Sequence, residues 1–359
     1  MLDNSKWSYN RFIKLLKIYK LNNFEDKLKY FKNKKVALIG TSPINLIAAN
    51  IYALFGAKIS IFEKNDIGGA WATIKVNKNN YPISTHILMP NKFLFDILNL
   101  MNVKSACWSK KPIIKDNNNT RIKNFPSDHS RYDKFNMPDF NFDRYSLTER
   151  LIKNLNHGKI KVIRKNIISF TEKNNCVSLN IGKKLYKYEY LFITPAAQLK
   201  KIKLKNLNIS MQYSNYLNNS LLLVTKNDLK IGSTFTHFKN KFFIKEIQTF
   251  KDKYKKNIII IKLSYKYNLN KNNLDKILNF LKKKYPNINL DNSHIIKLKY
   301  PMKRMSPIMQ KKIIYNSERV IIPIYKNIKN DAEFNSISQD LARLVNEKNF
   351  IQSLVRSKN

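Results

Sequence analysis

An unbroken apolar run at Val36-Ala37-Leu38-Ile39, a helix-period segment from Pro43 to Phe55, and a strand-like run at Ile59-Ser60-Ile61-Phe62 closed by Glu63 predict an α/β chain. Strand, tight turn, helix, strand and acidic residue, in that order, are the plan of a Rossmann-type FAD/NAD(P)-binding domain. Successive aromatic and β-branched runs between Thr234 and Tyr265 predict a second, smaller antiparallel-sheet substrate domain.

Val36 to Ile39 has no polar alternation, as a parallel strand covered on both faces requires. Gly40 stands where the chain must turn sharply. Pro43 suits the first turn of a helix, where its missing N–H leaves nothing unpaired. Ile44, Ile47, Ala48, Ile51 and Phe55 recur at helical spacing, Ala48 and Ala49 permit close approach to a sheet, and Gly56 ends the helix. Glu63 follows Gly40 by 23 residues and closes the second strand. A carboxylate there accepts from ribose hydroxyls while the helix N-terminus faces the pyrophosphate.

The glycine fingerprint is incomplete. Where G-x-G-x-x-G is usual, the chain has Gly40-Thr41-Ser42-Pro43-Ile44-Asn45. Ser42 replaces the glycine that lets backbone approach phosphate, although its hydroxyl can donate to a phosphate oxygen. Asn45 replaces the glycine that allows tight helix–strand packing, and is read as a loss.

The stretch Phe62-Glu63-Lys64-Asn65-Asp66-Ile67-Gly68-Gly69-Ala70-Trp71 resembles the "E-x-x-x-x-x-G-G" segment of the FAD-binding amine oxidase, phytoene desaturase and UDP-galactopyranose mutase superfamily. Tyr81 to Leu88 (YPISTHIL) stands in the place of its "D-x-G-x-H" segment, with Pro82 and Ser84 where aspartate and glycine are common. Tyr190 to Ala197 is similar to the strand before the "T-x-P" turn, and Ile296 to Pro307 to the strand returning from the substrate domain. The resemblance spans roughly residues 34–345, with specific motifs confined to the first forty. It implies FAD as cofactor, Glu63 on the adenosine ribose, and Gly68 and Gly69 along the diphosphate. The candidate cofactor-binding residues are Gly40, Ser42, Pro43, Asn45, Glu63, Lys64, Gly68, Gly69, Ala70, Trp71 and His86. His86 either faces the flavin or is structural, and Trp71 either lines the cleft or caps the core. The superfamily closes with a glycine-rich motif near the C-terminus, whereas this chain has no glycine after Gly232. Ser317 to Pro323 is read as the corresponding strand and Ile337 to Val345 as the closing helix. Fold retained with FAD binding weakened or lost is therefore the alternative.

The expected division is a basic amphipathic helical extension at 1–33, a Rossmann-type domain at 34–105, 147–204 and 305–359, an irregular insert at 106–146, and a substrate domain at 205–304. Leu147 to Leu155 and Leu274 to Leu281 read as helices, Lys159 to Ile163 as a strand, and Cys176 to Tyr188 as a hairpin. From Ser8 as cap, Phe12, Leu15, Leu16 and Tyr19 share one helical face near Trp7, flanked by Arg11, Lys14, Lys17 and Lys20. Such a helix either makes peripheral membrane contact or packs on the body with a solvated basic face.

With 359 residues and 43% hydrophobic content, the chain has ample material for two packed domains. No apolar run reaches the roughly 18 residues needed to span a bilayer, and no signal-peptide pattern opens the chain. Cys107 and Cys176 fit no zinc or redox spacing, which points to a reduced cytoplasmic setting. Asp128, His129, Asp133 and Asp139 match no standard ligand set, so no metal is expected. The formal charge is +43, yet only ten of the 67 basic residues are Arg and the lysines are dispersed. That pattern argues against specific nucleic-acid recognition, which favours Arg, while leaving nonspecific attraction to polyanions. Nucleophile-elbow and P-loop motifs are absent. Arg304, between Lys303 and Met305 on the returning strand, is a candidate to meet an anionic substrate, and no catalytic residue is assigned.

These observations give an FAD-dependent oxidoreductase or flavin-dependent isomerase of the amine oxidase and galactopyranose mutase type, acting on a small molecule. A cell-envelope sugar is the substrate class implied by resemblance alone. A degenerate, non-catalytic flavoprotein-like scaffold is the first alternative, and a basic nucleic-acid or membrane-surface binder the second.

Overall fold

A computed structural model describes residues 7–65, 67–68, 73–76, 79–82, 92–103, 105–107, 113–115, 140–142, 151–152, 154, 160–182, 184–194, 197–211, 213–225, 234–238, 243–251, 256–264, 267–291 and 293–322. Two helices open it, α1 (Tyr9–Ile18) and α2 (Asn23–Lys29), followed by β1 (Lys35–Ile39), α3 (Pro43–Leu54) and β2 (Lys58–Glu63). With β8 (Ile160–Arg164), β12 (Tyr190–Ile193) and β20 (Val320–Ile321) they build a five-stranded sheet of order β20-β12-β1-β2-β8, parallel throughout.

The apolar run of β1 is explained by what lies on each face. Val36 and Leu38 point into a core made with α1, α2 and α3, which includes Phe12, Leu16, Ile47, Ile51 and Tyr52. Ala37 and Ile39 point into a second core, where a five-stranded sheet covers the opposite face. That sheet has order β11-β10-β9-β13-β14, from β9 (Ser169–Glu172), β10 (Val177–Ile181), β11 (Lys184–Tyr188), β13 (Lys201–Lys203) and β14 (Asn208–Ser210). The hairpin expected at 176–188 is β10–β11.

Glu189, just before β12, accepts from the Lys35 amide at 2.9 Å and pairs with Lys34 at 2.9 Å. Burial works to raise its pKa, but the Lys34 ammonium and the Lys35 amide outweigh it and hold the carboxyl below its usual range. A lowered folded-state value stabilises above the ordinary glutamate range and is lost as pH falls through it. Both side chains are about one-third exposed, so solvent screens the pair. Glu189→Gln is expected to cost under about 1 kcal/mol at neutral pH. Urea titrations across the acid limb should show the difference from wild type vanishing.

A third, six-stranded sheet has order β19-β15-β18-β17-β16-β6. Its strands are β6 (Ile113–Lys115), β15 (Tyr213–Thr225), β16 (Thr234–Phe238), β17 (Ile244–Lys251), β18 (Asn257–Leu263) and β19 (Ser293–Met305). The run Ile258 to Ile261 again lacks alternation because both faces are covered. Ile259 and Ile261 meet Ile277 and Leu281 of α5 (Lys271–Lys284). Ile258 and Ile260 meet Tyr81, which lies on the hairpin of β3 (Thr73–Val76) and β4 (Asn79–Pro82). The antiparallel second sheet expected from the sequence is thus present, joined by β6 in parallel.

Two expectations change. The segment 106–146 is not wholly irregular: β6 extends the third sheet, and β5 (Ser105–Cys107) pairs with β7 (Phe140–Phe142). Each strand is three residues long with a distant partner, which leaves no readable period. Secondly, Ser8 occupies the N-cap position, but its side chain makes no capping bond. Of the two readings of the N-terminal helix, packing on the body is the one observed: Phe12, Ile13, Leu15 and Leu16 of α1 are buried in the first core. The Tyr19 hydroxyl also donates to Asp96 of α4 (Lys92–Leu100) at 2.7 Å. No described helix is long and apolar enough to cross a membrane. The proposed closing helix at 337–345 lies outside the described residues, as do Asp128, His129, Asp133 and Asp139. Among the described residues no cluster of metal-ligating side chains occurs.

Candidate functional site: the crevice at the ends of β1 and β12

The parallel sheet reverses its winding at β1. From β1 the chain moves outward through β2 and β8, then returns to β12 on the other side. Ligands of open α/β sheets bind in the crevice beyond the carboxyl ends of the strands at such a reversal. Here Ile39 and Ile193 are paired at that end, which brings Gly40 and Thr194 together.

Gly40 turns the chain with φ +94, and its amide donates to the Phe62 carbonyl at 2.8 Å. A Cβ built there would meet only ordinary contacts, the nearest being Asn45 Nδ2 at 3.7 Å and Thr194 Oγ1 at 3.8 Å. Glycine is therefore required by the backbone angle and not by crowding. Ser42 is the N-cap of α3, with Pro43 in its first turn. No acidic residue lies in that turn, so the positive end of the helix dipole is not offset within the helix. The Ser42 hydroxyl makes no capping bond, and its buried oxygen has no partner.

Asn45 departs from expectation. It is fully buried, and its Nδ2 donates to the Ile39 carbonyl at 2.8 Å and the Gly40 carbonyl at 2.7 Å. The side chain read as a packing loss instead clamps the end of β1 to the start of α3. A glycine lets helix and strand approach directly; the amide fills the gap and satisfies two carbonyls. Its own Oδ1 is buried and unpaired.

Glu63 departs further. Its Oε2 accepts from the Thr41 amide at 2.9 Å and from the Thr41 hydroxyl at 2.6 Å, while Oε1 accepts from the Asn65 amide at 2.8 Å. The Thr41 hydroxyl in turn accepts from the Gly68 amide at 2.9 Å. Thr41 thus ties the first turn, the end of β2 and the Gly68 loop into one network. The carboxylate expected to serve a ribose is 7% exposed, with much of its accepting capacity already used. Arg164, opposite Glu63 in β8, donates to the Asn65 carbonyl from below the same loop.

Gly40, Ser42, Pro43, Asn45, Glu63 and Gly68 are therefore brought together, with Gly68 at φ +109. Lys64 is exposed beyond the end of β2. Gly69, Ala70, Trp71 and His86 lie outside the described residues. Sequence reasoning missed Thr41 and Thr194. Thr41 sits at an unrestricted position of the fingerprint, and its side-chain partners lie 22 and 27 residues away. Thr194 falls within the Tyr190 to Ala197 segment, where the pattern marks a turn and not a side-chain role.

No protein-family model and no curated protein matches the chain. Solved structures do. A candidate protoporphyrinogen oxidase from Exiguobacterium sp. 255-15 superposes with TM-score 0.56 at 11% identity, covering 81% of this chain and 94% of that one. A p-nitrophenol 4-monooxygenase from Pseudomonas putida gives 0.53 at 11% identity, covering 81% and 71%. A putrescine oxidase double mutant, from a redesign of cofactor binding, gives 0.54 at 8% identity, covering 74% and 84%. The chain shares its fold with these oxidases and this monooxygenase, and the resemblance read from the sequence holds at the level of that fold.

Proposed function

We propose that the crevice beyond β1 and β12 seats the adenosine diphosphate half of FAD, and that the protein is an FAD-dependent oxidoreductase. The observation that carries this reading is the buried, unpartnered Ser42 Oγ at the start of a helix whose first turn holds no acid. A buried polar atom without a partner costs about 1–3 kcal/mol, so an unpaired hydroxyl donor at the positive end of a helix marks a place suited to an anionic acceptor. Ser42 Oγ–H and the free amides of the first turn of α3 fit a pyrophosphate, and Glu63 retains capacity for a ribose hydroxyl.

In this proposal Gly40 and Asn45 hold the turn open, Ser42 donates to phosphate, and Thr41 fixes the Glu63 carboxylate. Flavin, when bound, would supply the electron-transfer or isomerisation chemistry that no described side chain of this crevice offers. In the same proposal the six-stranded sheet forms the substrate side, with Tyr81 of the β3–β4 hairpin packed against it. Oxidation of a small molecule is the reading preferred; a cell-envelope sugar and isomerase chemistry rest on the sequence resemblance alone. A cytoplasmic location, with Cys176 as a free thiol, belongs to the same proposal.

A second reading is a scaffold that has kept the fold without FAD. The Thr41–Glu63–Asn65 bonds favour it, because they satisfy the ribose-binding carboxylate from within the chain. The two readings part on one experiment. Protein purified in high salt is expected to carry flavin absorbance or to bind added FAD saturably with quenching of flavin fluorescence. No native flavin together with no saturable binding would leave the scaffold.

A further inference from the structure

We infer that Thr41 restricts Glu63 to a single hydrogen bond with a bound ribose, so that the site reads one ribose hydroxyl of an adenosine diphosphate moiety and is indifferent to the other. This rests on the dinucleotide reading of the crevice and goes beyond it in naming what sets ribose recognition. A carboxylate offers about four acceptor positions, two on each oxygen. Oε2 of Glu63 has spent both, on the Thr41 amide at 2.9 Å and the Thr41 hydroxyl at 2.6 Å. Oε1 has spent one, on the Asn65 amide at 2.8 Å. One position is left, and a vicinal diol held by both oxygens of the carboxylate needs two.

The Thr41 hydroxyl is not free to swing aside. It also accepts from the Gly68 amide at 2.9 Å, and Thr41 is fully buried. Releasing Glu63 would leave that hydroxyl without its acceptor and disturb the Gly68 loop. The restriction is therefore built into the fold, and Thr41 acts on the ribose through Glu63 as a positioning residue.

The test is calorimetric titration of the full chain, in high salt, with ADP, 2′-deoxy-ADP, 3′-deoxy-ADP and 2′,3′-dideoxy-ADP. A hydrogen bond to a charged acceptor is worth roughly tenfold or more in affinity. In wild type, one monodeoxy analogue should lose about tenfold, the other under about twofold, and the dideoxy analogue no more than the worse of the two. Thr41→Ala removes the hydroxyl and the bulk that covers Oε2, opening one acceptor position there, so both monodeoxy analogues should then lose about tenfold relative to ADP. Thr41→Ser keeps the hydroxyl and should behave as wild type. Independent losses for both hydroxyls in wild type would overturn the inference while leaving dinucleotide binding intact. Absence of ADP binding in wild type and variants alike would overturn the dinucleotide reading and this inference with it. The analogue series on wild type and Thr41→Ser decides the matter even if Thr41→Ala does not fold.

Discussion

Glu63→Ala is expected to destabilise the protein by about 4 kcal/mol and to abolish saturable FAD binding. The carboxylate is the common acceptor for the Thr41 amide, the Thr41 hydroxyl and the Asn65 amide. Alanine strands two backbone N–H groups at the ends of β1 and β2, and leaves space where four heavy atoms had been. The buried Thr41 amide costs about 1–3 kcal/mol when stranded, the part-buried Asn65 amide less, and the space left behind adds to that. Glu63→Gln should cost about half as much, since one amide oxygen still accepts while the NH2 faces a donor. Urea unfolding followed by circular dichroism measures both. A loss below about 1 kcal/mol for Glu63→Ala would mean that the network contributes little to holding the turn.

The second large effect lies in α1. Phe12 is fully buried and packs edge-on against Phe55 at the end of α3, with ring centroids 6.2 Å apart. Phe12→Ala is expected to cost about 3–5 kcal/mol, as for an aromatic removed from a well-packed core. A helix whose apolar face waited for a membrane would lose almost nothing on the same change. Urea unfolding of Phe12→Ala separates the two descriptions of this helix without any lipid present.

The Rossmann-type unit was legible because burial on both faces writes itself into β1 as four apolar residues in a row. The β1–α3–β2 order, Pro43 in the first turn, Gly56 past the helix and Glu63 at the strand end all fell where the residues placed them. The long strand Tyr213–Thr225 was not foreseen. Its first half, YSNYLNN, is polar enough to read as a loop, and only pairing with all thirteen residues of Ser293–Met305 makes it a strand. The site was half legible for a similar reason. Comparing Asn45 with a glycine pattern shows what is missing and not what an amide can do, and its two carbonyl acceptors are visible only once β1 and α3 are in place. Thr41 carried no signal at all, since its role depends on the return of Glu63 and Gly68 from further along the chain.

The central claim is that the crevice at the ends of β1 and β12 is a dinucleotide site, and amide NMR of the 15N-labelled protein titrated with FAD tests it most directly. The account predicts saturable shifts of the Gly40, Thr41, Ser42 and Gly68 amides, which surround the start of α3 and the Glu63 carboxylate. Saturable shifts confined to other parts of the molecule, or none, would contradict it.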